Sequence, residues 1–371
     1  MTNNFFLVLF IFWSAIATAQ EIASGTVSVD GTSTVASTDE HFVCATIDWW
    51  PKEKCDYGHC SWDSSSLLNL NLSHPLLAKA IQAFGQLRVR IGGSLQDQVT
   101  YDVENSGLCE PFKIKKGGLF GFSEGCLSIN RWDELNEFFK RTGGIVTFGL
   151  NALYQRHKNT RKTWGGSWNS SNAYDFLQYT HSRGYEIDSW ELGNELNANI
   201  DAEIYANDVI ELKKIILEVY KNSGKSPSLA APGGFFDDDW YANFLKNSGA
   251  NTVDAITHHI YNLGAGNDRH LVSKILDPIF LSRTESTFKR VLQTITQYGP
   301  WASPWVGEAG GAYNSGGFNV SDTFVNSFWY MDQLGMASKF NTKVYCRQTL
   351  VGGNYGLLST SSFVPNPDFY R

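Results

Sequence analysis

Two short runs of this sequence place a glutamate directly behind an apolar stretch: Trp190-Glu191-Leu192-Gly193-Asn194-Glu195 and Pro304-Trp305-Val306-Gly307-Glu308. A carboxyl group at the C-terminal end of a buried strand projects from the end of the sheet, where a reacting molecule can meet it. Two such groups face to face can share the breaking of an acetal. One gives a proton to the departing oxygen and the other attacks the carbon. A gap of about 5–5.5 Å leads through a covalent intermediate with retention, whereas a wider gap admits a water and gives inversion. Asn194 is placed to donate to a hydroxyl beside the reacting carbon, a bond that strengthens as charge develops there. Taken singly, either run reads as a solvated acidic loop, so the pair has meaning only if a scaffold brings them together.

The scaffold is legible as an alternation of short β-branched or apolar runs with longer amphipathic ones from residue 42 onward, the βα rhythm of a parallel sheet. Strands are expected over 42–47, 86–91, 145–150, 187–192, 228–231, 253–258, 304–307 and 343–347. The clearest helices span 202–221 and 286–298, with Asp201 and Thr284 as their caps. Eight such units predict an α/β fold, a (β/α)8 barrel over 41–371, with its site at the C-terminal ends of the strands. Glu195 and Glu308 then close strands four and seven, three βα units apart at roughly 30 to 40 residues each. A doubly wound open sheet is the rival, but no Gly-rich phosphate fingerprint follows the first strand. Residues 105–126 read as an insertion after strand two. Residues 25–38, alternating Thr, Ser and Val within a 20–40 segment, read as an extended strand in need of a partner sheet.

With 371 residues, 42% of them hydrophobic, the chain can bury a large core. Its net charge of −7, without a basic run, argues against nucleic acid or an anionic membrane as partner. Residues 5–13 are apolar and lead to Ala17-Thr18-Ala19, which predicts a signal peptide over 1–19. No other window is long and apolar enough for a transmembrane span. The expected destination is extracellular, in the cell wall, with vacuole, lysosome or the membrane periphery as alternatives. Export suits six cysteines. Cys55 with Cys60, and Cys109 with Cys126, are the local pairs, each flanking a Gly-containing insertion, while Cys44 and Cys346 stay unassigned. Asn71, Asn169 and Asn319 head glycosylation sequons. His258 and His259 are adjacent on a strand and point to opposite sides, so no metal is expected there. Asp237-Asp238-Asp239 reads as a helix start rather than a calcium site, and no cofactor is called for. Trp49, Trp50 and Trp164 either stack on sugars or pack in the core.

The two glutamate runs combine with Leu87-Arg88-Val89-Arg90-Ile91-Gly92-Gly93-Ser94, His258-His259-Ile260-Tyr261, the stretch 307–315 and Arg347-Gln348-Thr349-Leu350-Val351-Gly352-Gly353-Asn354-Tyr355. Together these motifs make the chain resemble the heparanase-like and β-glucuronidase enzymes of glycoside hydrolase family 79, in the plant branch, over roughly residues 25–371. The resemblance implies Glu195 as acid/base, Glu308 as nucleophile and Tyr261 holding the nucleophile ionised and oriented. It implies a uronate carboxylate received at Asn314, Ser315 and Tyr355, and sugar hydroxyls at Asp48 and Ser94. The implied activity is retaining hydrolysis of β-linked glucuronic acid in a cell-wall or extracellular oligosaccharide, in a proteoglycan glycan or in a small glucuronide. The acidic net charge disfavours a sulfated substrate. The alternatives are another retaining glycosidase, of arabinofuranosidase or glucosidase type, and a carbohydrate-binding pseudoenzyme. Because the family carries a β-sandwich after the barrel, the resemblance also implies that this sequence stops where the sandwich and the eighth helix would begin. It is then expected to be a truncated product that folds poorly or is inactive despite an intact catalytic pair.

Overall fold

The computed structural model describes residues 25–104, 108–159 and 163–370; the expected signal peptide lies outside them. The chain divides into two units, residues 1–35 and residues 36–371. In the first, the described residues form no hydrogen-bonded strand: Val27, Val29 and Val35 are exposed, and the only local order is a turn in which Asp30 accepts from Thr32. The extended strand expected over 25–38 is therefore corrected. Alternation supplies a strand's pattern but not the neighbour its backbone groups need, and no described strand pairs with these residues.

The second unit contains all eight expected strands: β1 (Val43–Ile47), β2 (Arg88–Ile91), β3 (Ile145–Leu150), β4 (Ser189–Leu192), β5 (Ser228–Phe235), β6 (Ala255–Ile260), β7 (Ser303–Ala309) and β8 (Val344–Arg347). They close a parallel barrel in which each strand pairs with its sequence neighbours and β1 pairs with β8. Covered on the outside by helices and on the inside by one another's side chains, the strands are buried on both faces, which is why they read as apolar runs. The helices are α1 (Pro75–Gln82), α2 (Ile129–Thr142), α3 (Ser171–Ser182), α4 (Ala202–Val219), α5 (Asp238–Ser248), α6 (Leu271–Ile275), α7 (Pro278–Leu281), α8 (Glu285–Tyr298) and α9 (Asn326–Lys339).

Local chemistry sets several boundaries. Asp201 caps α4 by accepting from Glu203 N at 2.9 Å, and Asp237 caps α5 from Trp240 N at 2.8 Å, which accounts for the aspartate run. Thr284 does not cap α8: its hydroxyl donates to Leu281 O at 3.0 Å, because a 3-10 turn over Ser282–Thr284 already feeds the chain into the helix. The insertion after β2 carries a small parallel pair, Val99–Asp102 with Gly125–Ser128, tied by Cys109–Cys126. The Cys55–Cys60 pair is present as well. A third disulfide, Cys44–Cys346, joins directly opposed residues of β1 and β8 and so staples the barrel's closing seam.

Beyond β8, residues 348–370 contain 3-10 turns and no α-helix. That segment is anchored in the core by Asp368, which accepts from Arg347 Nη2 at 2.9 Å, Ser327 Oγ at 3.1 Å and Asn326 Nδ2 at 3.2 Å. Asn71 and Asn319 are exposed, while Asn169 is half-buried with its amide bonded to Gln155 and Ser171 N.

Candidate active site

Two bulges aim the catalytic ends of the strands. Along β6, His258 pairs with Val306 and His259 with Glu308, leaving Gly307 as the extra residue of β7; on the other side Gly233 is the extra residue of β5. Each bulge resets which side chain faces inward. Gly233, at φ 59°, favours glycine, and a Cβ there would lie 3.0 Å from Glu191 Oε1; a Cβ at Gly307 would meet Thr257 Cβ at 3.3 Å, a tight contact. Glu195 sits three residues past β4 in the left-handed region, φ 56°, with its N–H bonded to Gly233 O at 2.7 Å. A non-glycine residue there carries backbone strain, as catalytic loops often do.

Glu195 and Glu308 meet as expected. One oxygen of each, together with a ring nitrogen of His259, lie within 4.8 Å of one another. Glu195 Oε1 is 2.9 Å from His259 Nδ1. Glu308 accepts from Tyr261 OH at 2.6 Å through Oε1 and from Arg90 Nη1 at 2.9 Å through Oε2. Those atoms are thus engaged in hydrogen bonds that hold two carboxylates apart in role. Burial first, then the Glu308 charge, pushes the Tyr261 phenol well above its usual range, so it remains a donor.

Arg90 is the hub beneath the pair. Its side chain is 1% exposed and bonds Glu191 through Nε at 2.7 Å, Glu308 through Nη1 at 2.9 Å and Asn194 Oδ1 through Nη2 at 3.0 Å. Burial opposes the charge, but the Glu191 and Glu308 carboxylates more than offset it and the pKa moves up. Asp97 fixes the approach to Glu195 by accepting Asn194 N and Ala152 N, each at 2.8 Å. Burial nonetheless pushes Asp97 up to about 7.

A cleft of about 290 Å³ opens above these groups and is lined by Asp48, Ser94, Glu195, Tyr261, Glu308, Asn314, Ser315 and Tyr355 among others. Asn194 is not among its lining residues: the side chain is buried and its Oδ1 accepts from Arg90 Nη2 at 3.0 Å, a bond that orients the amide and leaves Nδ2 as its donor. Asp48 accepts from Gln348 Nε2 at 3.0 Å and is pushed up to about 7 by burial and then by Glu308. Ser315 accepts from Trp62 Nε1 at 2.8 Å and donates to Asp56, while Asn314 Nδ2 donates to Tyr57 OH at 2.9 Å. The Cys55–Cys60 loop is thereby tied to the loop after β7.

Lys54 brings a cation to the cleft wall, 2.8 Å from Asp56 and over the Trp50 ring at 4.6 Å. Trp50 lines the cleft, Trp49 is core, and Trp164 lies in a hairpin pair with His157–Lys158. His258 turns outward against Phe288, held neutral by burial that lowers it to about 3, while His259 faces the site. A larger cavity, about 570 Å³ among His41, His181, Glu186 and Lys225, lies instead around residues that precede β1, β3, β4 and β5, the face of a barrel that reads as structural.

Arg90, His259, Gln348, Lys54 and Asp56 were missed as site residues. Arg90 had a signal: Arg88 and Arg90 alternate within one strand, so both turn inward and need buried carboxylates from other strands.

A closed (β/α)8 barrel with two carboxylates at the C-terminal ends of β4 and β7 has the frame of a glycoside hydrolase. Residues 24–335 match the model of the glycosyl hydrolase family 79 N-terminal domain, and the chain belongs to that family. It is 60% identical over 359 residues to heparanase-like protein 1 of Arabidopsis thaliana, covering 95% of this chain and 66% of that protein. It is 40% identical over 356 residues to baicalin-beta-D-glucuronidase of Scutellaria baicalensis, covering 91% of this chain and 67% of that one. The chain thus spans about two thirds of the length of these relatives. A 4-O-alpha-L-rhamnosyl-beta-D-glucuronidase from Fusarium oxysporum shares the fold, with a TM-score of 0.60 at 14% identity over 90% of this chain and 68% of that one.

Proposed function

We propose that this chain is a retaining glycoside hydrolase that releases β-linked glucuronic acid from an extracellular glycan or glucuronide, with Glu308 as nucleophile and Glu195 as acid/base. The observation that carries the reading is the approach of one oxygen of each carboxylate to within 4.8 Å, short of the roughly 6.5–9.5 Å that an inverting pair keeps open for its water and suited to a covalent intermediate. Glu308 attacks the anomeric carbon while Glu195 gives its proton to the departing oxygen. A water then attacks the same carbon, Glu195 takes the water's proton, and the ester to Glu308 breaks. Tyr261 and Arg90 keep Glu308 oriented through one hydrogen bond to each of its oxygens.

The uronate is assigned to the wall formed by Asn314, Ser315 and Tyr355, where Lys54 supplies positive charge. Asp48 and Ser94 are assigned to sugar hydroxyls. Two relatives bear names that specify glucuronide hydrolysis, of baicalin in one and of hyaluronan in the other, which supports the same sugar. Export is inferred from three disulfides and from the apolar leader; no helix among the described residues is long and apolar enough to cross a membrane. The test is hydrolysis of 4-nitrophenyl β-D-glucuronide by the whole chain, with the anomer followed by NMR. The β-anomer should appear first and Glu308→Ala should abolish turnover. Preference for the aryl glucoside or arabinofuranoside, or undiminished turnover by Glu308→Ala, would sink the reading.

A further inference from the structure

The acid/base assignment fixes a direction. A proton leaving Glu195 must land on the departing oxygen, so the leaving group lies on the Glu195–His259 side of the cleft. On that side a second cavity, about 480 Å³, adjoins the cleft and shares Phe235 and Tyr261 with it; His259, Phe236, Phe280 and Arg283 also line it. Phe235, the last residue of β5, is 46% exposed, and its ring lies 6.3 Å from those of His259 and Tyr261. It is therefore an aromatic face beside the reacting groups rather than a core residue. Arg283 is exposed, lies over the Phe280 ring at 4.9 Å and makes no ion pair among the described residues. Aromatic rings backed by an uncommitted guanidinium match a ring that is flat and apolar on one face and anionic at its edge.

We propose that this cavity is the leaving-group subsite, with Phe235 as the platform for the first ring of the aglycone and Arg283 as the contact for an acidic substituent on it. The proposal rests on the glucuronidase reading and deepens it by naming the class of aglycone. An acidic sugar unit and a carboxylated phenol both have this chemistry. Because the aglycone departs in the first step, the subsite acts on kcat/KM and has no influence on hydrolysis of the glucuronyl-enzyme.

The test compares the whole chain with its Phe235→Ala and Arg283→Ala variants on methyl, phenyl and 4-carboxyphenyl β-D-glucuronide and on a glucuronyl-glucuronate disaccharide. Phe235→Ala should lower the kcat/KM ratio of phenyl glucuronide or of the disaccharide to methyl glucuronide about tenfold, and which of the two responds identifies the source of the ring. Arg283→Ala should lower the ratio of 4-carboxyphenyl to phenyl glucuronide about tenfold at low salt, with the difference shrinking at high salt. Ratios within twofold of the parent in both variants would overturn the subsite. So would a parallel fall on every substrate including methyl glucuronide, which would mean that Phe235 merely props His259. If the parent chain hydrolyses no glucuronide at all, the glucuronidase reading itself falls and takes the subsite with it.

Discussion

Arg90 Nη1 donates to Glu308 Oε2 at 2.9 Å inside the barrel, and the same guanidinium is shared with Glu191 and Asn194. One cation thus sets the position of the nucleophile, ties it to β4 and pays for two buried carboxylates. Lysine has a charge and three N–H donors, but all on one nitrogen, whereas Arg90 reaches its three partners from three separate nitrogens of a rigid plane. Arg90→Lys should therefore leave Glu191 or Glu308 under-bonded, with kcat/KM for aryl glucuronide reduced about 100-fold or more and a lowered melting temperature. Melting curves and steady-state kinetics on one preparation check both.

Tyr261 OH reaches the other oxygen of Glu308 at 2.6 Å. Removing only that hydroxyl with Tyr261→Phe deletes one charge-assisted hydrogen bond, worth about 1.5–3 kcal/mol. The expected loss in kcat/KM is roughly 10- to 100-fold, with the melting temperature nearly unchanged because the ring remains to fill its space. A variant that melts much earlier would show that the tyrosine is a structural support instead.

Glu195 and Glu308 should also differ in how azide rescues their alanine variants. In Glu195→Ala the nucleophile still forms the covalent intermediate from a substrate with a good leaving group, and azide attacks from the vacated side. The product is the β-glucuronyl azide. In Glu308→Ala azide takes the nucleophile's place and gives the α-azide. NMR of the products distinguishes the two, and exchange of these outcomes would reverse the assignment.

The barrel was legible because strands buried on both faces read as apolar runs, and the glutamates were legible because they end two of those runs. Caps such as Asp201 and Asp237 depend on residues two or three positions away and were equally readable. What escaped depends on closure. Cys44 meets Cys346 only when β1 and β8 become neighbours. Arg90 looks like an interruption in a strand until carboxylates from β4 and β7 converge on it. His259 shows no role in sequence beyond that of one of two adjacent histidines, because its partner, Glu195, is remote along the chain. Asn194 reads as a donor to a sugar hydroxyl, and nothing in its sequence neighbours reveals that Arg90 orients its amide by bonding Oδ1. The strand expected over 25–38 failed for the complementary reason, as a pattern without a partner.

Asp48 and Asp97 give the fold a pH dependence of definite sign. Both are buried, and both are pushed from the ordinary 3.8 up to about 7, chiefly by burial. Each therefore holds its proton more tightly in the folded chain than in the unfolded one. Between about 4 and 7 the folded state binds more protons, so stability falls as pH rises across that window. The contribution is fully present below about 4 and lost once pH has passed about 7. An amide at position 48 removes one such group while keeping its size and an oxygen for Trp49 N. Asp48→Asn should gain in melting temperature relative to the parent, by several degrees, between pH 4.5 and pH 7.5. A difference that stays constant or narrows over that range would mean that Asp48 is already ionised at the lower pH and that Gln348 and Trp49 N, which bond its two oxygens, outweigh the burial.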